Sequence, residues 1–330
     1  MNDFNQLFER FKNMKAGVIG DVMLDTYWWG HVERISPEAP VPVVSLDKRE
    51  YRIGGAGNVA LNLASLQADV TAFSVIGRDE DGAVLKDLLE KNRIQTGYLL
   101  QSDQRITTNK ARIISRNQQM MRLDAETTKD LSAEDEDKII VAVKKYIDQE
   151  KPGILIFEDY NKGVLTERVI RELITLCQKA NVVTAADPKR KNFFSYVGVD
   201  IFKPNLKEVK EGLNLLLEQI NESSLIQIHD LLHEKLKHHI SLITLSEKGV
   251  FYQSDHNSGM IPSHLRNIAD VSGAGDTVIA VAALVYAATR SVPLMAEVAN
   301  VAGGLVCEEV GTVAIDRHRL LAECQTLLKN

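Results

Sequence analysis

The octapeptide Asp270-Val271-Ser272-Gly273-Ala274-Gly275-Asp276-Thr277 runs straight into the apolar segment Val278 to Leu284, and this junction constrains the fold more tightly than any other part of the chain. The apolar segment is rich in alanine and long enough to be a buried helix, while the small residues ahead of it let a ligand approach the backbone closely. The result is a helix N-terminus with little to cover it. Its first N–H groups, from about Gly273 to Asp276, have no acceptor within the helix, and the macrodipole adds partial positive charge, so a phosphate oxygen is the fitting guest. Asp276 stands in that same first turn. A carboxylate beside a bound phosphoryl group can accept the proton of an attacking hydroxyl, whereas without the glycines it would be a plain complement to the helix dipole.

A helix of this kind needs a sheet to cover, and the chain supplies one. Phe4, Leu7, Phe8 and Phe11 fall on one face of a short helix within residues 1–15, and Ala16 to Gly20 reads as a buried parallel strand ending at a ligand site, with Asp21 and Asp25 behind it. Those two acids suit hydrogen bonds from sugar hydroxyls or, equally, an Asx turn and a surface acid. A helix to about Gln67, a strand at Val70 to Ile76 and a helix over 80–92 follow. From 133 onward the alternation is regular: helix 133–150, strand 153–157, helix 166–180, strand 182–186, strand 201–202, helices within 208–238 and strand 240–245. The pattern predicts one α/β domain over 1–330, with a mostly parallel sheet and helices on both faces. Asp159 with Lys162, Asp187 with Lys189, and Asn205 with Glu208 all fall at strand ends, where open α/β sheets bind ligands.

Two segments break the rhythm. One is about 28–51, with Pro37, Pro40 and Pro42 and an extended run at Val41 to Leu46; the other is about 98–124, where β-prone runs flank Ser115-Arg116-Asn117. Together they are expected to form a small β-sheet lid that keeps water from a phosphoryl-transfer site and joins two chains as a homodimer.

Several other readings are weaker. A net charge of −6 argues against a nucleic-acid binder. Cys177, Cys307 and Cys324 are odd in number and lack metal-ligand spacing, so they read as buried thiols; with a polar start and no apolar run of membrane-spanning length, a cytoplasmic protein is expected. Gly55-x-Gly57-x-x-Ala60, with Asp79 about twenty residues on, invites a dinucleotide site. Yet the preceding Glu50-Tyr51-Arg52-Ile53 is too charged for the buried first strand which that fold requires. The glycines can instead turn N–H groups toward a sugar, with Asn58 offering donor and acceptor. His229 and His233 lie one helical turn apart, but Leu225, Ile228, Leu232 and Leu236 make an ordinary amphipathic helix around them and no acid completes an HExxH pattern. The sequence contains no GxxxxGK[ST] phosphate loop.

Asp270-x-x-Gly-Ala-Gly-Asp276, paired with the upstream Gly54-Gly55-x-x-Asn58-x-Ala60, resembles the signature pair of the ribokinase, or PfkB-type, sugar kinases. Asn205-x-x-Glu208 is similar to that family's magnesium and phosphate motif, and the similarity runs from about residue 15 to 315. Gly20 to Asp25, Arg34 to Val44 and Ser115 to Gln119 resemble in particular the branch that acts on D-glycero-β-D-manno-heptose 7-phosphate for ADP-heptose and lipopolysaccharide core synthesis. The resemblance implies a ribokinase-like fold and ATP-dependent phosphorylation of an anomeric hydroxyl, with ATP and Mg²⁺ as cofactors and K⁺ as an additional cation. It implies Asp276 as base and Gly273, Ala274, Gly275 and Asp276 as anion hole. Asp21, Asp25, Gly54, Gly55, Asn58, Lys162 and Asp187 are implied on the sugar, and Asn205, Ser246, Gly249, Gly273, Gly275 and Asn300 on the nucleotide. Asn205 and Glu208 are implied for Mg²⁺, and Asp270, Ser272 and Gly311 for the monovalent cation.

A sugar that already bears a phosphate also needs a cationic anchor, for which Lys162, Lys189, Arg112 and Arg116 are the candidates. The sequence departs from the family at two points. It carries no HxGH motif before its end at Asn330, so a separate adenylyltransferase is expected as a partner enzyme. Glu158 and Asn161 stand where the family tends to carry smaller residues, which is expected to put an extra carboxylate beside Lys162. A kinase of another sugar, fructokinase- or ribokinase-like, and a nicotinamide-dependent oxidoreductase stay open beside this reading.

Overall fold

The computed structural model describes residues 3–116, 118–215, 219–255 and 257–328. In chain order the strands are β1 (Lys15–Gly20), β2 (Val22–Ile35), β3 (Pro42–Gly55), β4 (Asp69–Gly77), β5 (Ile94–Ser102), β6 (Asn109–Ser115), β7 (Gln118–Ala125), β8 (Ile154–Glu158), β9 (Val183–Asp187), β10 (Ile201–Phe202), β11 (Ile240–Thr244), β12 (Val250–Gln253) and β13 (Ser258–Ile261). The helices are α1 (Phe4–Phe11), α2 (Ala56–Ser65), α3 (Glu80–Lys91), α4 (Ala133–Glu150), α5 (Glu167–Ala180), α6 (Leu206–Leu213), α7 (Glu222–Leu236), α8 (Ala274–Thr289), α9 (Val292–Val306) and α10 (Arg317–Leu327).

Nine strands form the main sheet in the order β13-β12-β11-β10-β9-β8-β1-β4-β5, parallel except at one edge, where β12 and β13 return antiparallel. Strand alternation sends Val18 and Ile156 to one face and Ile19 and Phe157 to the other. The first face is covered by α1, α2, α8, α9 and α10, the second by α4, α5 and α7. Cys177, Cys307 and Cys324 are free and buried, as expected. Among the described residues no helix is long and apolar enough to cross a membrane.

The strand order places the site. From β1 the chain moves outward to β4 and β5, then crosses back to β8 and continues through β9, β10 and β11 in the opposite direction. The carboxyl ends of β1 and β8 are therefore the point where the winding reverses, and a crevice opens above such a point. Helix starts fit this geometry. Eight helices, α1, α3, α4, α5, α6, α7, α9 and α10, begin at Asp, Asn, Ser or Thr side chains that accept a first-turn N–H. By contrast α2 and α8 begin at Gly55 and Gly273, both at positive φ (59° and 77°) and without a side-chain cap. Those two uncapped N-termini meet at the crevice.

The lid is a separate four-stranded sheet in the order β3-β2-β6-β7, with β2 and β6 parallel and both outer pairs antiparallel. Its first arm is longer than the sequence suggests and its second shorter, because 98–102 of the expected segment 98–124 belong to β5 of the main sheet and the lid resumes only at β6. The extended run expected at Val41 to Leu46 is only the outer part of a fourteen-residue strand that pairs with β2 from Ile35↔Pro42 down to Val22↔Gly55. Glu50 to Ile53 belong to this edge strand, so the Gly55-x-Gly57 segment follows a lid strand and not a central one, which removes the context a dinucleotide site needs. Asp79 instead caps α3 and also accepts the Thr107 N–H at 2.8 Å. Asn117, expected in the β6–β7 turn, lies outside the described residues, as do 216–218 in the stretch read as helical.

Helix α1 shows how firmly the first face is closed: Phe8 and Phe11 are fully buried with ring centroids 5.1 Å apart, and the Arg317 guanidinium lies 5.7 Å from the Phe8 ring. Phe8→Ala is expected to lower stability by about 3–5 kcal/mol through lost burial and the cavity left behind. Urea unfolding should show an earlier midpoint at unchanged slope, and a loss under ~1 kcal/mol would mean that α1 is not an integral part of the core.

Candidate active site

Helix α8 carries Asp276 into the crevice. Its side chain is 3% exposed, accepts the Asn58 amide at 2.8 Å on one oxygen and the Tyr160 hydroxyl at 2.7 Å on the other. Burial pushes the carboxyl up, and the bonds from Asn58 and Tyr160 pull it back toward the ionised form. Ala274 N–H bends back to Val271 and Thr277 N–H to Gly273, which leaves the Gly275 and Asp276 amides without an acceptor among the described residues. The Lys203 amine stands 3.4 Å from where a Cβ on Gly275 would lie. An anion at this helix end would thus meet two amides, the helix dipole and a fixed positive charge.

Beside it lies a dense set of charges. Asp187, at the end of β9, pairs with Lys189 at 3.0 Å as expected and with the buried Lys203 at 2.6 Å. Burial opposes its charge, but the two lysines hold its carboxyl below the usual range. Lys189 reaches on to Glu208 at 2.7 Å. Asn205 and Glu208 form a reciprocal capping box at the start of α6, with bonds of 2.9 and 2.8 Å. Glu208 therefore has one oxygen on its own helix cap and the other on Lys189, and carboxylate lone pairs remain for a water-mediated cation. Glu158, Asp187 and Asp276 are the acids among the described residues whose oxygens converge within 4.8 Å.

The expected place of Glu158 needs correction. It is not beside the Lys162 amine, because that amine pairs with Glu126 at 2.7 Å, whereas Glu158 is fully buried next to Asp187 and Asp276. The strand explains it. Glu158 is the last residue of β8, in register with Gly20 and Asp187, so its side chain lies over the sheet while Lys162 has already turned away with the following loop. The expected Asp159–Lys162 association is likewise replaced: Asp159 accepts the Asn161 N–H at 2.7 Å and the Tyr196 hydroxyl at 3.0 Å, and burial raises it to about 6.

At the lid end of the crevice Asp21 and Asp25 are both buried and both engaged. Asp21 accepts the backbone N–H groups of Tyr160 and Lys162 at 2.9 Å and of Val164 at 3.1 Å, and so fixes the loop that carries Tyr160. Asp25 pairs with Arg112 at 2.6 Å. Gly54 and Gly55 pass so near these acids that a Cβ would run into the Asp25 carboxylate in one case and the Asp21 carbonyl in the other. Toward the β11 side of the sheet, the end of β11 leads into a short 3-10 turn at Ser246–Lys248 and then Gly249 at φ 95°. Asn205 bridges to Thr244 of the same strand end, and Asn300 on α9 holds the Pro262 carbonyl at 2.9 Å.

The residues assigned to a monovalent cation do converge. Asp270 accepts the Ser272 N–H and hydroxyl (3.0 and 2.9 Å) on one oxygen and the Gly311 N–H (2.9 Å) on the other. Arg52 from the lid donates to the Val310 carbonyl at 2.7 Å and the Thr312 carbonyl at 3.4 Å, so these two carbonyls and both Asp270 oxygens are engaged by the protein's own groups. The histidines of α7 and the turn after it are engaged by the protein: His229 and His238 both bond to Ser241, His233 bonds to the His238 carbonyl, the exposed His239 sits beside Asp200, and burial lowers the His238 pKa to about 3.

Tyr160, Lys203, Lys110 and Asn62 are site residues that the sequence reading passes over. Asn62 ties the two uncapped helices together, donating to the Asn58 carbonyl at 2.8 Å and accepting from Thr277 at 3.1 Å. A signal for Lys203 exists, since it directly follows the buried Ile201-Phe202 strand, one step past the Phe202↔Ala186 pair and so beside Asp187, the last residue of β9.

Comparison with known proteins gives concordant matches. Residues 14–318 match the pfkB family carbohydrate kinase. The bifunctional protein HldE of Aliarcobacter butzleri is 41% identical over 295 residues, 89% of this chain and 61% of the relative. Its counterpart in Haemophilus influenzae is 41% identical over 325 residues, 96% of this chain and 64% of the relative, so the chain spans less than two thirds of each. Among solved structures, phosphofructokinase-2 from Escherichia coli in complex with potassium superimposes with a TM-score of 0.77 over 94% of this chain and 99% of that one, at 18% identity.

Glu158 gives a test with a definite sign. Among the described residues neither carboxylate oxygen has a hydrogen-bond partner, and the carboxyl is pushed well above 4.5 by burial first and then by the charges of Asp187 and Asp276. The folded chain then keeps this proton where the unfolded chain has lost it, so its contribution is fully present below 4.5 and falls as pH climbs toward the raised folded value. Glu158→Leu is expected to stabilise the protein at neutral pH by about 1–3 kcal/mol and to flatten that descent. Thermal midpoints across pH check it, and an equally steep descent in the variant would assign the effect to another group.

Proposed function

Since the chain belongs to the pfkB family of carbohydrate kinases, shares their ribokinase-like fold and is thereby an ATP-dependent sugar kinase, we propose that its acceptor is D-glycero-D-manno-heptose 7-phosphate and its product the 1,7-bisphosphate. The observation that carries the chemistry is the buried Asp276 carboxylate beside two unengaged amides and Lys203 at the head of α8. Asp276 takes the proton of the anomeric hydroxyl as its oxygen attacks the γ-phosphorus, and the bond to the β-phosphate oxygen breaks to release ADP. The Gly275 and Asp276 amides and Lys203 face the charge on the transferring group. Asn58 keeps the base oriented. Mg²⁺, which Asn205 and Glu208 would hold through water, supplies further neutralisation of phosphate charge when bound.

The acceptor is favoured by the identity to the HldE proteins and by the basic side chains that line the lid end of the crevice. In this reading residues 1–330 act as one kinase domain in the cytoplasm, and an adenylyltransferase acts on the later product. The lid leaves Ile35, Val41, Leu46 and Met121 exposed, and we place a homodimer contact there. A kinase of another sugar is the alternative.

Asp276→Asn is expected to lower kcat by ~10² or more while ATP binding stays near normal, since general-base help is worth ~10²–10⁴. Near-normal turnover would dismiss the base. Glu208→Gln should raise the Mg²⁺ concentration needed for half-maximal rate more than the sugar KM; a change confined to sugar KM would move the motif to the acceptor pocket. ADP release across heptose 7-phosphate, free heptose, fructose and ribose, with ³¹P NMR of the product, tests the acceptor. Strong turnover of free fructose or ribose, with none of the heptose phosphate, would keep the kinase and discard the substrate.

A further inference from the structure

Asp276 is 3% exposed, so a hydroxyl from outside reaches its carboxylate only if a covering group moves. Most of the surrounding groups are fixed. Asn58, Glu158, Asp187 and Lys203 are all buried and belong to α2, β8, β9 and the position directly after β10. Tyr160 is different. It is half-buried, stands in the loop after β8 and donates its hydroxyl proton to Oδ1 of Asp276 at 2.7 Å, the one hydrogen bond of that side chain among the described residues. The backbone of the loop is held, since Asp21 accepts the N–H groups of Tyr160, Lys162 and Val164. The ring faces two amines, Lys110 of the lid and Lys189 of the body, each 5.5 Å from its centre. Rotation of this one side chain therefore uncovers the carboxylate and leaves the loop in place.

We propose that Tyr160 is a gating residue that keeps water off the base until an acceptor hydroxyl takes its place, and so makes the chain a kinase and not an ATPase. This rests on the reading of Asp276 as the base. A water molecule on an open Oδ1 gives a proton to Asp276 and attacks the γ-phosphorus; the bond to the β-phosphate oxygen breaks, which leaves ADP and orthophosphate. The tyrosine competes with that water because it is tethered beside the carboxylate, and a tethered partner is favoured over one drawn from solution. The sugar competes with the tyrosine in turn, because its hydroxyl arrives with the rest of a bound molecule. Burial first, and then the charges of Asp276, Glu158 and Asp187, hold the Tyr160 phenol well above its usual range, so the hydroxyl keeps its proton and stays a donor.

The test is ADP release from the whole chain with ATP and Mg²⁺ and no sugar. Tyr160→Phe is expected to raise this rate about 10-fold or more, since the base is then open to water and general-base help is worth ~10²–10⁴. Combining Tyr160→Phe with Asp276→Asn should remove the gain. Damage to the fold lowers ATP turnover, so it cannot imitate a rise. The acceptor with the highest kcat/KM among heptose 7-phosphate, free heptose, fructose and ribose serves as the probe for a second readout. Burial raises the Asp276 carboxyl, and the bonds from Asn58 and Tyr160 pull it back. In Tyr160→Phe the acid limb of kcat/KM should therefore move to higher pH, whereas the acid limb of kcat should stay in place, because in the complex the hydroxyl has already left. A tyrosine that stays on the base through turnover shifts both limbs and overturns the gate, as does sugar-free ADP release at the wild-type rate in Tyr160→Phe. Crystals of the unaltered chain with a non-hydrolysable ATP analogue and the same acceptor give an independent answer. The hydroxyl should stand beyond hydrogen-bond reach of Asp276, and a bond kept near 2.7 Å overturns the gate. Near-normal turnover in Asp276→Asn removes base and gate together, whereas a base that passes that test beside an unchanged ATPase in Tyr160→Phe leaves the base standing and the gate refuted.

Discussion

The buried carboxylate of Asp276 is the constraint on which the rest of the site depends. An ionised acid at 3% exposure is strongly disfavoured unless something compensates for lost water. Four kinds of compensation converge on it: the Asn58 amide, the Tyr160 hydroxyl, the positive end of α8 and the Lys203 amine beyond Gly275. Each comes from a different element, so the carboxylate keeps this geometry only when α2, the β8 loop, β10 and α8 are all in place. This ties the geometry of the crevice to global folding. It also explains why α2 and α8 are sealed together by Asn62 and Thr277, a buried polar link that would be wasteful in an ordinary helix pair.

Asp21 plays the corresponding part for the loop. Three backbone N–H groups at 160, 162 and 164 all point to one carboxylate at the end of β1, and this sets the position of Tyr160 relative to Asp276. Burial raises the Asp21 carboxyl, and those N–H groups, led by that of Lys162, draw it back. The winding of the sheet reverses between β1 and β8, and Asp21 staples the two strand ends at that reversal. A crevice that topology merely permits is thereby given a fixed floor.

What could be read from the sequence follows from how local each signal is. The α8 junction is legible because glycines, acid and apolar run are contiguous, and the Asp187–Lys189 pair because the partners are two residues apart. The βα rhythm was recovered because each strand is buried on both faces and reads as an apolar run. Tyr160 and Asn58 lie 116 and 218 residues from Asp276, and no local pattern links them. The place of Glu158 is not legible, because sequence gives only proximity along the chain to Lys162, while strand register puts its side chain among the acids of the neighbouring strands. Lys110 is passed over, because which face of β6 turns to the crevice depends on its pairing with β2.

Taken as a charge system, the crevice is arranged for exchange and not for filling. Asp276 has Tyr160, Glu208 has Lys189, Asp25 has Arg112 and Lys162 has Glu126. A ligand that binds to any of these groups must offer at least what the protein partner offers, so a molecule with only some of the required groups gains little from entering. A ligand that displaces Tyr160 from Asp276 without replacing its hydrogen bond leaves the buried carboxylate short of a donor. Discrimination then arises from the penalty on incomplete partners, which is how a site built from hydrogen bonds and charges rejects close analogues far more strongly than an apolar pocket can. The lid belongs to the same charge system, because Arg112 on β6 pairs with Asp25 on β2 while Arg52 on β3 reaches the Val310 carbonyl of the body, so lid and body share one set of polar contacts.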